Sequence, residues 1–224
     1  MNNTPYFSAE RLRYLALLAT QYPTVQSAST EIIRLKTILS LPKGTEHFMS
    51  DIHGEHEAFL HILNASSGEV RAKINDLFTA SLTDLERSDL ATLIYYPAEK
   101  LALVADQTDM LDDWYLTTLT RLVHLCRHVS TKHTRIKVRS YMTAAYRDIL
   151  DELVYLRDEE GFRQGQYESI LDTIIHIGQA PQVIEALCAL IKALTCDHLH
   201  IVGDIFDRGP RADIVMDSLM RCHN

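Results

Sequence analysis

Two short clusters carry the chemistry open to this chain. Asp51-Ile52-His53 follows the run Glu46 to Ser50, and Asp204, Asp207 and Arg208 fall within five residues after the apolar run Leu199 to Val202. Carboxylate plus imidazole is a donor set for borderline or hard divalent ions such as manganese, iron or zinc, and Asp204 is able to bridge two of them. A pair of ions suits phosphate-ester hydrolysis: about 3.5 to 4 Å apart they clamp phosphate oxygens and make water a nucleophile near neutral pH. The planar fork of Arg208 would neutralise phosphate charge, while Asp207 is placed to orient a histidine acid. On an extended segment residues two apart face the same way, so Asp51 and His53 are expected to grip one ion together, with Gly54 letting the chain turn. The bland alternative for the second cluster is a glycine-bounded turn closed by an Asp207–Arg208 ion pair. Against it, G-D-x-x-D-R-G fixes five residue types and would arise by chance at roughly one position in a million at average usage.

Elements must bring these clusters together. Strands are expected at Glu46 to Ser50 and Leu199 to Val202, each ending in carboxylates and each followed by a helix, Glu55 to Leu63 and Ala212 to Met220. Between Gly68 and Gly161 there is no glycine and only Pro97 as proline. Apolar residues there recur at helical spacing, as in Tyr115, Leu119, Leu122, Val123 and Cys126, or Tyr146, Ile149, Leu150, Leu153 and Val154. Further helices are expected near residues 8–21 and 24–40, and from about Pro181 to Leu194. Asp204 lies 153 positions after Asp51, far beyond an ordinary connection, so a helical segment is inserted between two βα units. The expected division is 1–65 for the amino-terminal helices and first βα unit, 66–180 for the helical insertion, and 181–224 for the second αβα part. The two strands should run parallel and side by side, with residues of about 66–195 almost wholly helical.

Bulk properties narrow the partners. With 22 basic and 30 acidic residues the formal net charge is −8, which repels nucleic acid and anionic membrane; neither is expected as a partner. Cys126, Cys188, Cys196 and Cys222 show no CxxC spacing, and neither a signal sequence nor an apolar run of membrane-span length is evident, so a reducing cytoplasm is expected.

SDIHGE at 50–55 and GDIFDRG at 203–209 resemble the first two signatures of the calcineurin-like metallophosphoesterases. ATLIYYPAEKL at 91–101, CRHVSTKHTRIKVR at 126–139 and DHLHIVGDIFDRGP at 197–210 narrow the resemblance to class III fructose-1,6-bisphosphatase, the manganese-dependent bacterial type, over almost the whole chain. The resemblance implies an α/β calcineurin-like fold, incomplete here and predominantly α because of the large all-helical insertion. It implies a binuclear Mn2+ site in which Asp51 and His53 hold one ion and Asp204 bridges both. Asp207 would support a catalytic histidine and Arg208 would face the phosphate. The implied substrate is a sugar bisphosphate, fructose 1,6-bisphosphate, and a homo-oligomer is compatible with it. The third signature of the superfamily, G-N-H and an acid, does not occur; Cys222-His223-Asn224 is no substitute. The expectation is an amino-terminal portion of a longer enzyme, inactive by itself and binding at most one ion weakly. A phosphoprotein or dinucleotide polyphosphate substrate, or a non-catalytic interaction module, are the alternatives.

Other polar residues are expected to be structural. The basic run Arg127, Lys132, Arg135, Lys137 and Arg139 is expected to form a solvated helix face. His56, His61, His198 and His200 are expected to be surface or packing residues, and Tyr95, Tyr96 and Trp114 core aromatics.

Overall fold

The computed structural model of the chain describes residues 7–107, 110–156 and 164–222. The chain divides between Leu41 and Pro42 into two compact units. The first holds two helices, α1 (Ala9–Gln21) and α2 (Val25–Leu39). Each starts where the sequence supplies a cap: the Ser8 hydroxyl accepts from Arg11 N–H, and Thr24 and Ser27 form a reciprocal capping box.

The second unit contains strand β1 (Glu46–Ser50) and helix α3 (His56–Asn64), then a single 3₁₀ turn at Ser66–Gly68. Helices α4 (Glu69–Phe78), α5 (Asp84–Tyr95), α6 (Pro97–Gln107), α7 (Leu111–Ser130), α8 (Arg135–Tyr141), α9 (Arg147–Tyr155), α10 (Gln164–His176) and α11 (Ala180–Thr195) follow. Strand β2 (His198–Val202) and helix α12 (Ala212–Cys222) complete it. Among the described residues β1 and β2 are the strands, and they pair in parallel, Phe48 opposite His200. Among the described residues the expected helical stretch is therefore found, positions 108–109 and 157–163 of it lying outside them, and the expected strand pairing with it.

Helix α11 is the axis of the larger core. Val183, Ile184, Leu187, Ile191 and Leu194 are fully buried on it, facing Leu119, Leu122, Val123 and Cys126 of α7. The 3.6-residue stripe of α9 is likewise buried at Leu150, Leu153 and Val154, whereas Ile149, assigned to the same stripe, is 39 % exposed. Tyr95 and Trp114 pack against this core as expected. A second, small core of Ile52, Phe59 and Val215, with Met49, Ile201 and Leu219 against it, fixes one face of the strand pair to α3 and α12. Alternation along both strands leaves the other face, with Phe48 and His200 stacked 4.5 Å apart, exposed. Among the described residues no single helix is long and apolar enough to cross a membrane.

The basic run is solvated only in part: Arg135 is 59 % and Arg139 40 % exposed, but every member of the run is held by a partner within the fold. Arg127 donates to the Leu153 and Leu156 carbonyls that end α9. Arg135 and Arg139 both bind the buried Asp151 carboxylate, and Lys132 and Lys137 converge on Asp197. The acids lie 12 to 65 positions along the chain from these bases, so local charge spacing gave no sign of them.

Candidate metal centre

The site forms where the strands stop. β1 and β2 end together at Ser50 and Val202, and the following loops continue the pairing: His53 N–H donates to Asp204 O at 3.0 Å and Gly54 N–H to Ile205 O at 2.8 Å. Arg211 N–H then returns to Gly54 O at 3.2 Å as the chain enters α12. Close approach of two backbones demands glycine. A Cβ on Gly209 would lie 2.0 Å from His53 O, and one on Gly203, whose φ is +114°, would lie 2.4 Å from Asp51 Oδ1.

The loops are bent in the left-handed region at four non-glycine residues, Asp51 (φ 50°), His53 (φ 51°), Asp207 (φ 71°) and Arg208 (φ 57°). Such conformations cost on the order of 1 to 3 kcal/mol each and persist where surrounding structure imposes them. They also correct one expectation. Asp51 and His53 do not lie on extended backbone, because the chain leaves the strand at once to follow Gly203 to Ile205. The simple two-residue alternation fails there.

Instead the folding brings one donor atom each of His53, Asp204 and Asp207 within 4.8 Å of one another. His53 Nδ1 is 2.5 Å from Asp207 Oδ1. The hydrogen bond to Asp207 is the main reason that the imidazole pKa is raised above its ordinary value. Asp51 sits beside this group, its Oδ1 3.5 Å from Asp204 N. Arg208 is 76 % exposed and makes the ion pair of the bland alternative, Nε to Asp207 Oδ2 at 3.3 Å. Gly203 to Asp207 line an open depression of about 420 Å³ at the strand ends. Three carboxylates and an imidazole against one guanidinium make this a place for a cation.

Among the histidines set aside, His61 Nδ1 is 2.5 Å from the Tyr96 hydroxyl, and His200 stacks on Phe48. His56 opens α3 with its Nδ1 buried and unbonded. Sequence reasoning missed Asp197, just before β2, whose side chain is 6 % exposed. Its only signal in the sequence is an acid directly before an apolar strand.

The carboxyl ends of the parallel strand pair thus carry a group of acids and an imidazole that could hold a metal ion. The chain belongs to the family described as Firmicute fructose-1,6-bisphosphatase, which matches residues 13–224. It is 50 % identical over 213 residues to a fructose-1,6-bisphosphatase class 3 of Clostridium beijerinckii, covering 95 % of this chain and 33 % of that protein. It is 51 % identical to the enzyme of that name from Listeria monocytogenes over 95 % of this chain and 33 % of the relative. To that of Bacteroides fragilis it is 51 % identical over 100 % of this chain and 34 % of the relative. The chain thus spans about a third of the length of the curated relatives it matches. No solved structure matches it.

Proposed function

We propose that the protein to which this sequence contributes hydrolyses fructose 1,6-bisphosphate to fructose 6-phosphate and phosphate, with a divalent metal held at the strand ends. The observation that carries this is the convergence of His53, Asp204 and Asp207 in a chain half identical, along its length, to class 3 fructose-1,6-bisphosphatases. Those relatives are about three times as long, so the reaction is assigned to the whole protein.

The donor set fits the metal. Carboxylates and one imidazole suit Mn2+, and Asp51, His53 and Asp204 would hold it, Asp204 from a position able to serve two ions. A pair of bound ions would supply charge neutralisation at the phosphate oxygens and a nucleophile at neutral pH. The remaining work falls to the chain's own groups. Asp207, accepting the Nδ1 proton of His53, fixes the tautomer that leaves Nε2 free as a ligand. This is a different task from supporting a separate histidine acid, and the 2.5 Å contact supports it. Arg208, mostly exposed and next in the chain to the residues lining the depression, would bind phosphate in bidentate fashion. The domain division at residues 65 and 180 and the calcineurin-like fold belong to the same proposal, supported by the two βα units and the helices between them. Free thiols at Cys126, Cys188 and Cys196 fit a reducing cytoplasm.

Phosphate release by the whole protein with manganese tests this against a substrate panel. Fructose 1,6-bisphosphate should be turned over in preference to a phosphoserine peptide and a dinucleotide polyphosphate. Equal or greater release from either of the latter would overturn the substrate assignment.

A further inference from the structure

We infer that Asp197 is a positioning residue that locks the register of β1 against β2 and so aligns the two metal-binding loops at the far end; the inference rests on the metal reading above. The two strands are joined by the whole helical segment, so no tight turn sets their register. At their starting ends a buried cluster does so. Asp197 N–H donates to Thr45 O at 2.9 Å, and Thr45 N–H donates back to Asp197 Oδ2 at 2.9 Å, so the carboxylate completes a reciprocal pair before the ladder begins. Lys132 Nζ binds Asp197 Oδ2 at 2.8 Å, Thr45 Oγ1 at 2.9 Å and Thr195 O at 2.8 Å, which uses all three of its donors. Lys137 Nζ takes the other oxygen at 2.9 Å, and His133 Nδ1 lies 3.4 Å from it.

The neighbouring residue is shaped to this arrangement. A Cβ on Gly44 would stand 2.9 Å from both Asp197 Cγ and Oδ2, so only glycine lets β1 start this close to the carboxylate. Burial would raise the Asp197 pKa, but the hydrogen bonds from Lys132 and Lys137 outweigh it and hold the carboxyl at about 2. A depressed folded pKa stabilises the pairing above the unfolded value near 4 and loses that contribution as pH falls toward 2.

Register matters because of the dimensions. A slip of one residue moves a strand by about 3.3 Å and turns every side chain to the opposite face. That shift is comparable to the 4.8 Å within which the His53, Asp204 and Asp207 donors meet. At the far end Ile52 anchors the pair in the small core, while Asp51, Asp204 and Asp207 themselves are exposed and take their alignment from the strands.

The test compares the whole wild-type protein with its Asp197→Asn and Gly44→Ala variants by amide exchange and by manganese titration. In both variants amides of 46–50 and 198–202 should exchange at least about tenfold faster while α7 and α11 stay protected, a local opening rather than a global one. Manganese affinity should fall about tenfold or more, as for other groups that orient ligands. Unchanged strand exchange, or faster exchange spread evenly over the helices, would overturn the lock. Absence of manganese binding to the wild type would overturn the metal reading instead, while the exchange data still decide the lock.

Discussion

Asp204→Asn should weaken manganese binding beyond the roughly 10- to 100-fold loss typical of groups that only orient a ligand, and should lower phosphate release by the whole protein at least as much. The substitution replaces a charged oxygen by a neutral amide at the residue shared by both proposed ion positions. Its donor is one of the three that converge within 4.8 Å, and neither Asp51 nor Asp207 can replace it without leaving its own contact, to Asp204 N or to His53. Asp204 is exposed, so the helical fold should be untouched. Circular dichroism and a thermal melt matching wild type, beside a lost calorimetric manganese isotherm, would be the expected pair of results. An unchanged isotherm would remove Asp204 from the site.

Gly209→Ala should separate the two motif loops. Its Cβ would lie 2.0 Å from His53 O, 2.6 Å from Gly54 C and 2.8 Å from Glu55 N. All three are main-chain atoms, which cannot swing aside as a flexible side chain would. The cost is about 1 to 3 kcal/mol of overpacking, and relief comes by breaking His53 N–H to Asp204 O and Gly54 N–H to Ile205 O. Stability should fall by that amount in urea, with manganese affinity falling alongside. Gly165→Ala is the control, since nothing lies within 4 Å of its Cβ; on helix α10 it should leave manganese affinity unchanged and raise stability by up to about 1 kcal/mol.

Much of this was legible in the sequence, for identifiable reasons. The strand Glu46–Ser50 and the helix after it are marked by the Asp51-Ile52-His53 cluster and the turn at Gly54, and α7 and α9 by the spacing of their apolar residues. His53, Asp204 and Asp207 were marked by motif composition. The bend of Asp51 and His53 into left-handed backbone was not, because it is imposed by Gly203 to Ile205, 150 positions away. The partners of Lys132, Lys137, Arg135 and Arg139 were hidden for the same reason: Asp197 and Asp151 become neighbours only after α8, α9 and α11 have packed. Local periodicity records which face is apolar, and long-range ion pairs leave no period.

The central claim is that one divalent ion seats between the two motif loops. The most direct measurement is site-resolved paramagnetic broadening of the amide spectrum as substoichiometric Mn2+ is added to the chain. The account predicts broadening centred on residues 51–54 and 203–209, absent in Asp204→Asn. Broadening centred instead on the acidic outer face of α10, where Glu168, Asp172 and His176 line a second open depression, or spread over the acidic surface without a centre, would contradict it.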